Sequence, residues 1–358
     1  MNILFFIFFI LFIIYGMYII NNENMKGGGK MNENHLVIKN SCDILKNKYN
    51  IDISYKITKC IDIYYNNKHF RLRNGLNNIK SKFIYKYRKV SISNKLKKYN
   101  YPVAENQMFN KIENIDYVNN IINNHIIKYP LVVKPVDGNN AYNVFTNIQN
   151  KEQLKSVLIE HFLNKKLKHC NKCNIMLEQH LYGKQYRILI YKNNILDIIE
   201  LIPAYIIGDG VNNIKDLIAI ENSKIKKNFL VLDKHFLKHR NLNTNSILKK
   251  NDKLIINLPK GRLGCKGKRI NIKHIHKDNI VMFENLYKIV GFDFIGVDFI
   301  MNDLKLSYKN SINTNGGINE LNSSPSIEPH YSFKGISPSY NVPINFLIKF
   351  FEITNIEI

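Results

Sequence analysis

The sequence predicts an α+β protein whose strands pair mainly in antiparallel fashion. Short runs rich in Ile, Val, Tyr and Phe alternate with turn residues throughout the chain, which is the pattern of strands. Other stretches space their apolar residues as an amphipathic helix does, for example Leu154, Val157, Leu158 and Phe162. No GxGxxG motif follows a predicted strand, so the pattern does not indicate a parallel dinucleotide-binding sheet.

An uncharged apolar run over residues 3–20 opens the chain. It reaches the lower length limit of a membrane-spanning helix, and no small-residue cleavage site follows it. We therefore expect a single-pass transmembrane anchor over residues 1–21, with a cleaved signal as the alternative. Lysines on the C-terminal side predict a catalytic domain that faces the cytosol. Residues 22–35, rich in Gly and Asn, are typical of a flexible linker.

The rest of the chain divides into a small lobe and a large domain. Residues 36–85 alternate short apolar runs with basic turns and predict a small α/β N-terminal lobe, and residues 86–358 form the large domain. Within the large domain, helices are expected at 93–100, 151–166, 213–222, 280–290 and 344–353. Strands are expected at both ends of 129–145 and at 174–181, 186–192, 195–207, 291–300 and 317–322.

Charge and cysteine content narrow the class of function. The net charge is +24, but the basic residues are mostly evenly spread lysines without an Arg-rich tract, so no specific nucleic-acid partner is expected. Five cysteines, an odd number, fit a reducing compartment better than a disulfide framework. Cys170 and Cys173 form a lone CxxC pair, which favours an ordinary polar loop over a zinc site because no second ligand pair is evident.

Two predicted strands near the C-terminus carry oxygen ligands. Asp298 lies inside the apolar run GFDFIGVDFI, where an acid is costly to bury unless a cation or donor compensates it. Glu320 and Asn322 lie two residues apart on the next strand and therefore project from the same face. Two carboxylates and an amide oxygen suit Mg²⁺. The alternative is a pair of capped strand ends with surface acids.

Lys134 is a cation in the apolar strand LVVKP. An edge lysine that extends its amine to solvent is one interpretation. The other is a lysine that a rigid strand holds against a polyphosphate, because the turn sequence DGNN follows directly. Glu178 ends another apolar strand, and Gln185 follows it beyond a turn at Gly183.

In this order, the stretches YPLVVKPVDGNN, LEQHLYGKQYRILI, IPAYIIGDG, GFDFIGVDFI and INELNSSPSIEPH resemble the ATP-grasp superfamily. The likeness covers residues 86–350 and is strongest to the ATP-grasp modules of cyanophycin synthetases and of bifunctional glutamate–cysteine ligase/glutathione synthetases. It implies an ATP-grasp fold, in which two α+β lobes hold ATP between them.

The resemblance also implies roles for individual residues. Lys134 and Lys89 correspond to phosphate-binding lysines, with Lys95 as the competitor of Lys89. Arg187 is a candidate for binding the acyl phosphate or substrate carboxylate, and Arg262 and His330 are weaker candidates for the acceptor side. The remaining roles are adenine binding by the hinge (Glu178, Gln179 and Leu181), ribose binding (Gln185) and metal binding (Asp298, Glu320 and Asn322).

Two segments depart from the family pattern. The phosphate loop over residues 138–144 keeps only the first of the family's glycines, and residues 262–267 replace a segment that usually reads Asn-Leu-Ser-Thr-Gly-Gly. The first change bears on loop closure, because Asn tolerates positive φ better than Ala does. The second bears on the substrate pocket. The full activity of either named enzyme is not expected, because a chain of 358 residues has room neither for the Mur-ligase-like second half of a cyanophycin synthetase nor for an upstream glutamate–cysteine ligase domain.

The function implied by the resemblance is an ATP- and Mg²⁺-dependent carboxylate–amine ligase that works through an acylphosphate intermediate. The substrates expected are amino acids or peptides, and the cofactors are ATP with one or two Mg²⁺ ions, which Mn²⁺ could replace. One alternative is an ATP-binding pseudoenzyme or regulatory module, and a second is a basic membrane-associated structural or nucleic-acid-binding protein. The sequence leaves the oligomeric state open, a homo-oligomer included.

Overall fold

The computed structural model describes most of the chain beyond residue 32. The described residues are 33–58, 60–72, 88–136, 143–163, 174–224, 242–257, 266–310, 315–323, 325–331 and 339–354, with the single positions 230, 232, 237 and 356. The predicted anchor at 3–20 lies outside them, as do residues 138–142 of the phosphate loop, the CxxC pair and Arg262. Among the residues described, no helix has the length and apolarity that crossing a bilayer requires.

The chain divides into two compact units, Met1–Asn78 and Ile79–Ile358. The described part of the first unit is helix α1 and an antiparallel sheet in the order β1-β2-β3. Asn66 and Asn67, both at positive φ, make the tight turn between β2 and β3, a conformation that Asn tolerates. The elements are α1 (Glu33–Tyr49), β1 (Ser54–Ile57), β2 (Ile61–Tyr65) and β3 (Lys68–Leu72).

A four-stranded sheet in the order β4-β7-β5-β6 forms one layer of the second unit. Helices α3 and α4 pack on it through buried Val118, Ile121 and Leu154, which meet Leu131 and Leu177 of the strands. The strands are β4 (Asn106–Phe109), β5 (Leu131–Pro135), β6 (Phe145–Ile148) and β7 (Ile175–Gln179). The helices are α3 (Ile115–Asn124) and α4 (Lys151–Val157), which continues as a π-helical turn (Leu158–Leu163).

A five-stranded sheet in the order β12-β9-β8-β13-β14 is the largest element of the second unit. Helices α2 (Arg88–Lys97) and α6 (Lys277–Val290) contribute Leu96, Phe283 and Leu286 to its core, which includes Val297 and Phe299 of β13. The strands are β8 (Lys184–Tyr191), β9 (Asn194–Ile202), β12 (Lys266–Arg269), β13 (Phe294–Met301) and β14 (Gly317–Asn322).

The remaining described elements are small. Strands β10 (Ala204–Ile207) and β11 (Lys253–Asn257) pair with each other and pack with helix α5 (Ile214–Ser223) around a separate apolar cluster. The C-terminal part contains helix α7 (Glu328–Tyr331) and helix α8 (Asn341–Phe351). Every pairing between the named strands of the described chain is antiparallel, which confirms the predicted class.

Local details differ from the expectations in several places. Helix α1 begins at Glu33, inside the linker predicted over residues 22–35. The strand expected over 195–207 is two strands, because Pro203 has no N–H with which to continue the ladder. The helix expected from residue 93 begins at Arg88. Helix α3 was not expected, although its buried Val118 and Ile121 follow helical spacing and Asn114 caps its first turn.

Candidate functional site

Three strands of the five-stranded sheet align the central predicted residues in one row. Asp298 of β13 lies directly opposite Glu320 of β14 on one side and Arg187 of β8 on the other. Directly paired residues in an antiparallel sheet project from the same face. The row therefore brings two carboxylates and a guanidinium together, and Gln185, two residues before Arg187, shares that face.

The carboxylate of Asp298 is the centre of this row. Arg187 Nη1 lies 2.7 Å from Asp298 Oδ1, and Asn322 Nδ2 donates to Asp298 Oδ2 at 3.3 Å. Glu320 Oε1 lies 3.7 Å from Lys89 Nζ. The structure thus gathers the three predicted metal ligands at adjoining strand positions, with a cation beside each carboxylate. A half-turn of the Asn322 amide would present its oxygen in place of its nitrogen.

The guanidinium of Arg187 depends on a glycine that the sequence reasoning did not single out. A Cβ atom on Gly296 would lie 2.8 Å from Arg187 Nη2 and 2.7 Å from Pro325 Cβ, and both distances are too short for real atoms. Only Gly at position 296 therefore leaves room for Arg187 in its observed position. The signal was present in GFDFIGVDFI, where Gly interrupts an otherwise apolar strand.

Lys134 and Glu178 form a second charged pair in the four-stranded sheet. Lys134 Nζ lies 2.5 Å from Glu178 Oε2, and both side chains are 7% exposed. Glu178 lies opposite Val132, two residues before Lys134, so the two side chains share one face of β5 and β7. Lys134 is therefore buried and paired, which contradicts the alternative of an edge lysine that extends to solvent.

A cleft of about 390 Å³, open solvent included, connects the residues of the two sheets. Met176 and Glu178 of β7 line it from the four-stranded sheet, Ile318 and Glu320 of β14 line it from the five-stranded sheet, and Lys89 lines it from α2. Lys95 is not among its lining residues. The cleft therefore brings together one predicted phosphate-binding lysine, the predicted hinge acid and one predicted metal ligand.

The predicted hinge leads out of β7 towards β8. The backbone N–H of Gln179 donates to the Glu105 carbonyl, and that of His180 donates to the Pro130 carbonyl. Leu181 is buried beyond them. Gly183 has φ of +134°, and a Cβ there would lie 2.5 Å from the Met301 carbonyl carbon, so the turn into β8 requires glycine.

A second buried cluster lies on β9, β12 and α7. Asp197 Oδ2 lies 3.1 Å from His330 Nδ1, and Arg269 Nε lies 3.1 Å from Asp197 Oδ1. Burial lowers the pKa of His330, an effect that Asp197 opposes and that the charges of Arg187 and Arg269 reinforce. Asp197 and Arg269 were missed. An acid inside the apolar strand ILDIIEL is the same signal that singled out Asp298.

Comparisons with known proteins agree with this architecture. No family model matches the chain. The chain is 27% identical over 236 residues to a cyanophycin synthetase of Synechocystis sp., covering 62% of this chain and 25% of the relative. It is 25% identical over 215 residues to the glutathione biosynthesis bifunctional protein GshAB of Pasteurella multocida, and this match covers 56% of this chain and 27% of the relative. The chain thus spans about a quarter of the length of these curated relatives.

The fold has a match among solved structures. The crystal structure of a bifunctional glutathione synthetase from Pasteurella multocida superimposes with a TM-score of 0.55 at 20% identity, covering 88% of this chain and 44% of that one. Together with the matched sequence stretches, these similarities show that the chain has the α+β ATP-grasp fold and is similar in sequence to cyanophycin synthetases and GshAB proteins.

Proposed function

We propose that the chain is an ATP- and Mg²⁺-dependent carboxylate–amine ligase that acts through an acyl phosphate. The observation that carries the proposal is the row of Glu320, Asp298 and Arg187, which places metal-binding oxygens directly beside a cation suited to a carboxylate. The relatives named as cyanophycin synthetase and glutathione biosynthesis protein support a ligase that joins amino acids or peptides.

The donor set fits a magnesium ion. Asp298, Glu320 and Asn322 offer carboxylate and amide oxygens from neighbouring strands, which is the chemistry that Mg²⁺ prefers. The described part of the chain gathers no group of three or more His, Cys, Asp or Glu residues as a metal site, so this donor set consists of two carboxylates and an amide oxygen. A bound Mg²⁺ would neutralise phosphate charge at this end of the row.

The charges in and around the cleft also suit a nucleotide. Lys134 and Lys89 are cations held by a strand and a helix, and phosphoryl transfer depends mainly on such positioning and charge neutralisation. Glu178 lines the cleft. The resemblance assigns adenine binding to Glu178 with Gln179 and Leu181 of the adjoining hinge, and Gln185 can donate to a ribose hydroxyl.

Arg187 would orient the substrate carboxylate. Its planar guanidinium can hold two oxygens at once, and it lies one strand from Asp298. The substrate carboxylate attacks the γ-phosphate of ATP, which gives an acyl phosphate and ADP. An amine then displaces phosphate from the acyl carbon. Arg187 lies on β8, next to the strand that carries Asp298. Its guanidinium can therefore bind the substrate carboxylate first and the acyl phosphate afterwards.

The first test is nucleotide binding followed by turnover. Saturating MgATP should stabilise the protein against unfolding by about 2.7 kcal/mol at a hundredfold excess over Kd. ADP release should then depend on added amino acids or acidic peptides, and mass spectrometry should detect the amide product. Stabilisation without carboxylate-dependent ADP release would instead support the ATP-binding pseudoenzyme, and the absence of both would contradict the proposal.

Two lysines on the same helix provide a matched pair of variants. Lys89 lines the cleft, whereas Lys95 lies six residues further along α2 and so points about 120° away around the helix. Lys89→Ala should raise the KM for ATP at least about tenfold, which corresponds to about 1.4 kcal/mol of lost charge-assisted contact. Lys95→Ala should leave it unchanged. The reverse result would reassign the phosphate-binding lysine.

A further inference from the structure

His330 is a fully buried histidine to which the proposed function assigns no role. The side chain of His330 is fully buried, and its Nδ1 lies 3.1 Å from Asp197 Oδ2. Arg269 Nη2 donates to the backbone carbonyl oxygen of His330 at 2.6 Å. Arg269 Nε also contacts Asp197. Asp197 and Arg269 thus fix both the ring and the backbone of His330, so the orientation of the imidazole is well defined.

The partner of Nδ1 decides the protonation state of the other ring nitrogen. A carboxylate only accepts hydrogen bonds, so Nδ1 must carry the proton and Nε2 presents a lone pair. Nε2 is buried, and no residue that the structure describes makes a hydrogen bond with it. Leaving a buried polar atom unsatisfied costs about 1–3 kcal/mol, so a fixed, unsatisfied acceptor calls for a ligand that donates.

The residues around His330 indicate which ligand donates to Nε2. The cross-strand row continues from Glu320, Asp298 and Arg187 to Ile199 of β9 and Arg269 of β12. Asp197 lies two residues before Ile199 on β9, so the carboxylate that holds the His330 ring projects from the same face as Arg187. Arg187 also acts electrostatically on the ring, so the donor that meets Nε2 lies beside the substrate carboxylate that Arg187 would hold, as the attacking amine does.

We propose that His330 Nε2 accepts a proton from the incoming amine, with Asp197 and Arg269 as positioning residues. This inference rests on the proposed ligase function. The ammonium group of the substrate gives one proton to Nε2, which frees the nitrogen lone pair. That pair forms the C–N bond while the bond from the acyl carbon to the phosphate oxygen breaks, and phosphate leaves with the bonding electrons. The second nitrogen proton passes to the phosphate, and the imidazolium returns its proton to water.

The environment of His330 suits this role. The charges that face the ring are Asp197 of β9, Arg269 of β12 and Arg187 of β8. The carboxylate stabilises an imidazolium once it forms, whereas burial and the two guanidinium groups keep the resting ring neutral and ready to accept a proton.

The test separates the two half-reactions. Hydroxylamine is an uncharged nucleophile at neutral pH, so it traps an acyl phosphate as a hydroxamate without needing a base. The full chain is supplied with ATP, Mg²⁺ and a panel of amino acids, with or without hydroxylamine. His330→Asn keeps a donor near Asp197 but removes Nε2. It should retain hydroxamate formation within about twofold and lose amide formation at least about a hundredfold.

Two further variants complete the experiment. Tyr331→Phe, on the same helix, should change neither half-reaction. Asp197→Asn should shift the acid limb of the amide-forming rate to lower pH, because the carboxylate no longer supports the imidazolium. It also serves as the test if His330→Asn does not fold. Loss of both half-reactions or of neither in His330→Asn, or an unmoved acid limb in Asp197→Asn, would overturn the role of His330. Absence of hydroxamate with the wild-type protein would overturn the ligase itself.

Discussion

Arg187 and Asp298 are direct cross-strand partners whose side chains form a 2.7 Å ion pair between β8 and β13. Each side chain is less than one-fifth exposed. The carboxylate proposed to bind metal and the guanidinium proposed to bind a substrate anion therefore share one contact. Because an ion at Asp298 and an anion at Arg187 act on the same pair, the metal and substrate sites are expected to influence each other.

Asp298→Asn should weaken metal binding. The change removes the charge that a Mg²⁺ ion needs and keeps the shape of the side chain. We expect the apparent affinity for Mn²⁺, used as a spectroscopic substitute, to fall at least about tenfold, or about 1.4 kcal/mol. Titration followed by electron paramagnetic resonance measures it. Asp52→Asn, at an exposed position of the first unit, is the control, and equal affinities in both variants would exclude Asp298 as a ligand.

Gly296→Ala should impair Arg187 without touching the nucleotide residues. The added methyl group would lie 2.8 Å from Arg187 Nη2, so the guanidinium must move. We expect the KM for the carboxylate substrate to rise about tenfold or more, since displacement of a bidentate contact costs about 1.5–3 kcal/mol. The KM for ATP should change little. Steady-state kinetics with each substrate varied in turn distinguishes the two, and an unchanged KM for the carboxylate would contradict the steric argument.

Removing one partner of the buried pair of Lys134 and Glu178 should destabilise the protein. Lys134→Met leaves a carboxylate buried without its partner, which typically destabilises a protein by about 3–5 kcal/mol. The double variant Lys134→Met with Glu178→Leu should recover much of that loss, because both charges are then absent. Urea unfolding of the two variants measures the difference. Both should lose ATP turnover, and equal stability of the single and double variants would show that the pair is not coupled.

His330 should make folding stability depend on pH. Burial holds its folded pKa below the ordinary value of 6.5, so the unfolded chain takes up the proton first as pH falls. His330 costs the protein no folding stability well above pH 6.5. The free energy of unfolding decreases as pH falls from 6.5 towards the lower folded pKa. Each unit of pKa difference corresponds to about 1.4 kcal/mol.

Urea unfolding between pH 5 and pH 8 measures this dependence. His330→Asn should flatten the loss of stability below pH 6.5, whereas exposed His274→Gln should keep the wild-type slope. A slope that is the same in all three proteins would mean that the protonation of His330 is not linked to folding.

The sequence predicted much of the frame through strand and helix periodicity. The apolar runs around Asp298 and Lys134 marked buried strands, and both are strands in the structure. An isolated charge in such a run is costly without a partner, so these two positions could be singled out before any contact was known. Asp197 gave the same signal in β9 and could have been found in the same way.

Periodicity says nothing about which strands become neighbours. Glu320, Asp298 and Arg187 lie far apart in the chain, and the order β9-β8-β13-β14 alone makes them consecutive members of one row. The need for Gly296 likewise follows from the approach of Arg187 and Pro325, which no local pattern reveals. The partner of Lys134 was also beyond the sequence, because only the pairing of β5 with β7 brings Glu178 to it.

The sequence by itself determined the α+β class, the buried strands and most of the charged residues of the site, because those depend on local alternation and on the cost of burying a charge. The tertiary structure decided the partners: Arg187 with Asp298, Lys134 with Glu178, and His330 with Asp197. Pairing depends on strand order and register, which arise from contacts between segments distant in the chain. The physical reason is that short-range propensity fixes what each segment becomes, and long-range packing fixes which side chains meet.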